Sequence, residues 1–187
     1  ISFSGELAFE MNVMSDYGEE MWNEIISQGE DFGIQPYGTE ALSTLRIEMG
    51  HVAGSEIDGR TIAYDLSLEG MLSQKKDFIG KRSLYRSDTM KEERKQLVGL
   101  LTDDPSIVLE EGAQIVSELK QSPVNMLGHV TSSYYSPNLK KSIALAVVRS
   151  GKNMMGKKLF IPMEDKTINV TVANPVFFDT ENKRLNA

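Results

Sequence analysis

Apolar and polar residues alternate from the first position of the chain. Ile1, Phe3, Leu7, Phe9, Met11 and Val13 fall on one side, and Ser2, Ser4, Glu6, Glu10 and Asn12 on the other. A period of two predicts a half-buried strand. A strand this regular at residue 1 needs neighbours, which predicts further polypeptide upstream. The period then lengthens: Asp16 with Glu19 reads as a capping box, and Met21, Trp22, Ile25 and Ile26 recur at helical spacing up to Gly29. This predicts an amphipathic helix packed on the sheet. After Pro36 and Gly38, Thr39 is placed to cap a second helix that turns Leu42, Leu45 and Met49 inward and ends at Gly50. Glu48 lies on the shoulder of its apolar face.

From Gly50 to Gly70 the pattern is that of loops, with Asp58-Gly59 a turn signal, and residues 77–87 predict a further short helix. A charged connector covers 88–96. Beyond it come short β-rich runs at 97–101, 107–109, 114–119, 128–132, 142–149, 158–163 and 167–172. Many short strands at close spacing predict a small all-β barrel or jelly roll. The expected fold is therefore α+β, an antiparallel sheet with helices over residues 1–90 followed by a β-barrel domain over 91–187. No internal repeat or low-complexity tract interrupts either half, and Asn169-Val170-Thr171 reads as strand rather than as a glycan acceptor.

Charge supports the same division. Up to residue 90 there are 7 basic and 16 acidic residues, and from 91 onward 13 basic and 11 acidic, for a net charge of −7 over 187 residues. An acidic chain lacks the basic footprint that displaces counterions from nucleic acid. No apolar run reaches the ~18 residues of a membrane span, so a cytoplasmic protein without membrane contact is expected. The absence of cysteine excludes disulfides and thiolate chemistry. His51 and His129 stand too far apart, without a ligand motif, to predict a metal site.

Glu48 is the foremost candidate for binding, because a carboxylate at the edge of an apolar face is costly to desolvate unless donors meet it. The alternative is a surface glutamate paired with Arg46. Lys75, Lys76 and Lys81 offer mobile positive charge to an anionic ligand or form an ordinary solvated patch. Tyr134 and Tyr135 precede Ser136-Pro137, where a turn either aims a ring at the neighbouring domain or leaves both rings as packing. His51 follows the helix-ending glycine and is either a proton shuttle or a residue serving the helix end. Asp65 is not assigned an acid/base role.

Two stretches carry a family likeness. Residues 45–84, LRIEMGHVAGSEIDGRTIAYDLSLEGMLSQKKDFIGKRSL, and residues 128–137, GHVTSSYYSP, resemble the folate-dependent aminomethyltransferase family that includes the glycine cleavage T-protein. The words Gly50-His51-Val52-Ala53-Gly54 and Glu56-Ile57-Asp58-Gly59-Arg60-Thr61 resemble in particular the branch formed by the carboxy-terminal part of heterotetrameric sarcosine oxidase alpha subunits. The resemblance implies tetrahydrofolate as ligand, and in the whole complex FMN, FAD, NAD and other subunits. It implies that oxidised sarcosine yields its one-carbon unit as 5,10-methylenetetrahydrofolate, with glycine and hydrogen peroxide. It further implies that Glu48, in Leu45-Arg46-Ile47-Glu48, grips the pterin edge at two points. With folate as the ligand, its anionic glutamate tail is what Lys75, Lys76 and Lys81 attract unless they are a solvated patch, and Tyr134 or Tyr135 closes the pocket unless both are packing residues. Phe3, in Ser2-Phe3-Ser4-Gly5-Glu6, stands where the family usually has tyrosine; either it keeps stacking contact with the ligand and loses the hydroxyl, or it is a core aromatic on the strand. The catalytic residue is expected upstream of this chain, and the fragment alone is expected to be inactive. Alternatives are the T-protein itself, which takes its aminomethyl group from a lipoyl carrier, a dimethylglycine dehydrogenase or demethylase, and a non-catalytic folate-binding module.

Overall fold

The computed structural model describes residues 2–119 and 123–186. Six strands close into an antiparallel barrel: β1 (Lys95–Thr102), β2 (Gln114–Val116), β3 (Met126–Ser136), β4 (Lys141–Arg149), β5 (Lys158–Pro162) and β6 (Thr167–Ala173). Their order around the barrel is β1-β4-β3-β2-β5-β6, with β6 pairing back to β1. Closure leaves no free sheet edge.

The interior is filled by one face of every strand, including Val98, Leu100, Ile115, Val130, Ala146 and Val170. The β4 run Ser-Ile-Ala-Leu-Ala-Val-Val shows no polar alternation, and every one of its residues from Ser142 to Val148 is buried. One face lines the barrel and the other is covered from outside, the pattern of a strand buried on both sides. Gly128 allows β3 and β4 to approach: a Cβ there would lie 2.0 Å from the Val147 carbonyl oxygen. The run 107–109 forms no strand. Its backbone serves turns instead, Ile107 N–H donating to the Asp104 carbonyl and Leu109 N–H to Ser133 Oγ.

Before the barrel lie two α-helices, α1 (Gly18–Gly29) and α2 (Thr39–Glu48), and loops with short 3-10 turns. One such turn, Lys81–Tyr85, stands where a helix over 77–87 is predicted. The strand expected over the first thirteen residues is absent from 2–14, and Ile1 lies outside the described residues. No strand runs beside this segment among the described residues, and an isolated strand leaves its backbone groups unpaired. It is instead tied to the far end of the chain, Leu7 N–H to the Arg184 carbonyl at 3.3 Å and Arg184 to Glu6 at 3.0 Å. The expected sheet in the first part is thus replaced by helices and loops.

The Asp16 capping box also fails to form. A 3-10 turn over Ser15–Tyr17 runs directly into α1, so Asp16 sits within helical backbone and makes no capping bond. No residue of α1 is buried, and Trp22 is exposed. The helix is amphipathic, but its apolar stripe has no sheet to cover it. By contrast α2 is firmly seated. Gly50 takes the left-handed conformation (φ 68°), His51 N–H reaches back to the Arg46 carbonyl at 2.9 Å, and Gly50 N–H to that of Ile47 at 3.0 Å. That pair of bonds is a Schellman motif, which ends a helix where glycine follows its cap. Ile47 packs with Leu97, Ile143 and Leu145 on the barrel's outer face. None of the described helices is long and apolar enough to cross a membrane.

Candidate functional site

The last turn of α2 sends two charged side chains into the junction with the barrel, and β3 receives both. Glu48 is 1% exposed. Its Oε1 accepts a short hydrogen bond from the Ser136 hydroxyl, and its Oε2 accepts one from Asn138 Nδ2 at 2.9 Å. Its backbone carbonyl accepts from Phe177 N–H at 2.8 Å and Phe178 N–H at 2.9 Å. One residue therefore ties α2 to the β3–β4 turn and to the segment after β6. The donors that a buried carboxylate requires come from this chain, one on each oxygen of Glu48.

Arg46 does not pair with Glu48. Its guanidinium donates to Glu56 Oε2 at 3.1 Å, to Ser132 Oγ at 2.6 Å and to the His51 carbonyl at 3.0 Å. Ser132 in turn donates to Glu56 Oε1 at 2.7 Å, and Ala53 N–H donates to Glu56 Oε2 at 2.8 Å. The ion pair is buried, with both terminal guanidinium nitrogens and both carboxylate oxygens hydrogen-bonded, which is the condition under which a buried pair is tolerated. It pins the loop after α2 onto β3.

A second clasp holds the next stretch of loop. Arg94 grips Asp65 as a fork, Nε to Oδ1 at 2.9 Å and Nη2 to Oδ2 at 2.6 Å, and reaches the Arg60 carbonyl at 2.7 Å. Hydrogen bonding to Asp65 raises the Arg94 pKa above its ordinary value. Asp65 also accepts from Ile62 N–H at 3.0 Å. Its role is structural.

The remaining residues singled out from the sequence are spread over the surface. Phe3 is 47% exposed, and its ring lies nearly parallel to that of His51, with centroids 6.5 Å apart. Tyr134 is half-buried and packs against the cluster of Ile47, Leu97 and Ile143, whereas Tyr135 is exposed. Lys75 and Lys76 lie on an exposed loop; there Lys81 Nζ donates to the Lys76 carbonyl at 2.9 Å and stands over the Phe78 ring. The structure brings Glu48 and Tyr134 to the junction and places Phe3 against His51, and among the described residues the lysines make no hydrogen bond or ion pair with either group. Ser132, Ser136, Asn138, Glu56 and Arg94 were not singled out by the sequence patterns. For Ser132 and Ser136 the signal is the run of hydroxyl residues on β3, at positions that a buried strand otherwise fills with apolar side chains; Glu56, Asn138 and Arg94 carry no such signal.

A helix seated by carboxylate clasps on a six-stranded barrel corresponds to a known two-part arrangement. Residues 1–76 match the GCVT N-terminal domain and residues 95–179 the glycine cleavage T-protein C-terminal barrel domain. The chain belongs to the glycine cleavage T-protein family. Within the family it is 42% identical to a sarcosine oxidase subunit alpha from Rhizobium meliloti, over 99% of this chain and 19% of that protein. It is 39% identical to the sarcosine oxidase subunit alpha of Corynebacterium sp. strain U-96, over 98% of this chain and 20% of that protein. An aminomethyltransferase from Thermoanaerobacter pseudethanolicus is 29% identical over 97% of this chain and 48% of its own length. The chain thus spans about a fifth of these alpha subunits and just under half of the aminomethyltransferase. The crystal structure of glycine cleavage system aminomethyltransferase T from Bartonella henselae shares the fold, with a TM-score of 0.74 and 21% identity over 88% of this chain and 44% of that one.

Proposed function

We propose that the chain forms part of the tetrahydrofolate-binding region of a sarcosine oxidase alpha subunit. The observation that carries this reading is the 39% and 42% identity to such subunits over nearly the whole chain, against 28% to 33% to aminomethyltransferases. In the complete hetero-oligomer, sarcosine is oxidised at a flavin outside this chain, and the products are glycine, hydrogen peroxide and 5,10-methylenetetrahydrofolate. Tetrahydrofolate supplies the nucleophilic nitrogen for the one-carbon unit.

The residues of this chain contribute position. Phe3 presents a half-exposed ring suited to stacking on a flat heterocycle. Lys75 and Lys76 carry exposed ammonium groups toward the anionic tail. Glu48 and Tyr134 act from behind, by holding α2 and the loop after it on the barrel. Rigid support of this kind keeps reacting groups in line, where misplacement by an ångström is costly in rate.

The T-protein reading rests on the shared pair of domains, and purification of the complete protein with its native partners separates the two. The oxidase reading expects bound flavin and sarcosine-dependent peroxide, with methylenetetrahydrofolate formed when tetrahydrofolate is present. A flavin-free protein that turns over only with a lipoylated carrier overturns it.

A further inference from the structure

Further along β3 from Ser132, the outer wall of the barrel carries a separate crevice of about 240 Å³. His129 on β3, Val147 on β4 and Lys95 on β1 form its barrel side, and Arg60 and Asp58 close it from the loop. We propose that this crevice binds a small oxyanion, the charged end of a carboxylate or phosphate compound, between Lys95 and His129, with the Asp58-paired Arg60 at its rim. The inference is independent of the folate reading.

Strand spacing sets the gap. His129 lies opposite Val147 across β3 and β4, and β1 is the next strand over. Two inter-strand steps of about 4.8 Å place the β1 and β3 backbones roughly 10 Å apart. Buried Val147 forms the floor between them. The volume lies below the roughly 300 Å³ at which drug-sized ligand pockets begin. It suits a group of a few heavy atoms and excludes a pterin with its tail.

Charge pairing gives the sign of the ligand. Every carboxylate at the site is engaged: Asp58 by Arg60, Asp65 by Arg94, and Asp88 by Lys91 and Arg94. Neither Lys95 nor His129 makes a side-chain hydrogen bond or ion pair among the described residues. The unmatched charge is positive, and an anion is what complements it. Burial, with the charges of Lys95 and Arg60, lowers the His129 pKa, and Asp58 opposes this weakly. An anion seated beside the ring opposes that lowering, so binding takes up a proton and strengthens as pH falls.

Ring resonances of the two histidines, with His129 identified by its loss in His129→Gln, provide the test. Inorganic phosphate or acetate is titrated into the full chain at ionic strength held constant with sodium chloride. The expected result is a saturable shift of His129 with an upward move of its pKa, and at least a tenfold weakening in Lys95→Gln. Saturation by phosphate alone or by acetate alone identifies the source. Lys95→Gln also raises the ligand-free His129 pKa, which verifies that the variant is folded; Arg60→Gln, at an exposed position, serves as the second variant. A His129 shift that follows chloride equally, fails to saturate with both anions, or is unchanged in both variants overturns the proposal.

Discussion

Asn138, on the turn between β3 and β4, donates its side-chain amide to Glu48 Oε2 at 2.9 Å across 90 positions of sequence. With the Ser136 hydroxyl on the other oxygen, this contact makes a carboxylate in an apolar helix a fastener between helix and barrel. Glu48→Ala strands the Ser136 hydroxyl at a buried site, which costs about 1–3 kcal/mol, whereas the exposed Asn138 amide turns to water. Glu48→Gln keeps an acceptor and loses less. Urea unfolding of the chain measures both, and a Glu48→Ala protein as stable as the parent contradicts the fastening role.

The Arg46–Glu56 pair should behave as a buried unit. Removing one partner, as in Glu56→Ala, leaves the other charge uncompensated and costs about 3–5 kcal/mol. Replacing both with methionine should recover much of that loss. A double-mutant cycle of Arg46→Met with Ser132→Ala should show coupling of about 0.5–3 kcal/mol, since Ser132 bonds both charged partners; additive losses exclude the network.

Gly50 and Gly33 have nearly the same backbone, φ 68° and 70°, but different surroundings. A Cβ at Gly50 would lie 2.6 Å from the Pro175 carbonyl oxygen, whereas one at Gly33 would point into open space. Alanine at Gly33 should cost about 1–2 kcal/mol for the left-handed conformation alone. Alanine at Gly50 should cost distinctly more, and equal losses in thermal melts would mean that the helix end and the segment after β6 are not held together.

Residues close in sequence were readable and distant partners were not. The Gly50 stop was visible because glycine after a run at helical spacing has one economical conformation. Five of the six strands were legible over most of their length, since β-branched and apolar runs bounded by turn residues have few other uses. The alternation of residues 2–13 misled because period two specifies a strand only where a neighbour completes the ladder. Phe9, 83% exposed, marks the missing cover. The clasps were illegible because a partner 86 or 90 residues away leaves no periodic trace. A charged residue directed into an apolar face announces a need for donors without naming them.

The pH dependence of stability should carry a signature of His129. Burial lowers its pKa in the folded protein, so between the folded value and the ordinary ~6.5 the unfolded chain binds more protons, and stability rises with pH. Its contribution is present above about pH 6.5 and is lost as pH falls through the folded pKa. The engaged carboxylates Asp58 and Asp88, lowered by hydrogen bonds from Arg60 and Lys91 respectively, act in a separate window below their ordinary value of 3.8. His129→Gln should flatten the slope just below about pH 6.5 in urea titrations and leave the acid limb in place. An unchanged slope would assign it to other groups.

The role in folate binding is tested most directly by calorimetric titration of tetrahydrofolate into the complete alpha subunit carrying this sequence. One saturable site is predicted. Phe3→Ala and the double variant Lys75→Ala, Lys76→Ala should each weaken it tenfold or more, about 1.4 kcal/mol, at unchanged melting temperature. Absence of saturable binding in the parent subunit, or parent-like affinity in both variants, would contradict that role.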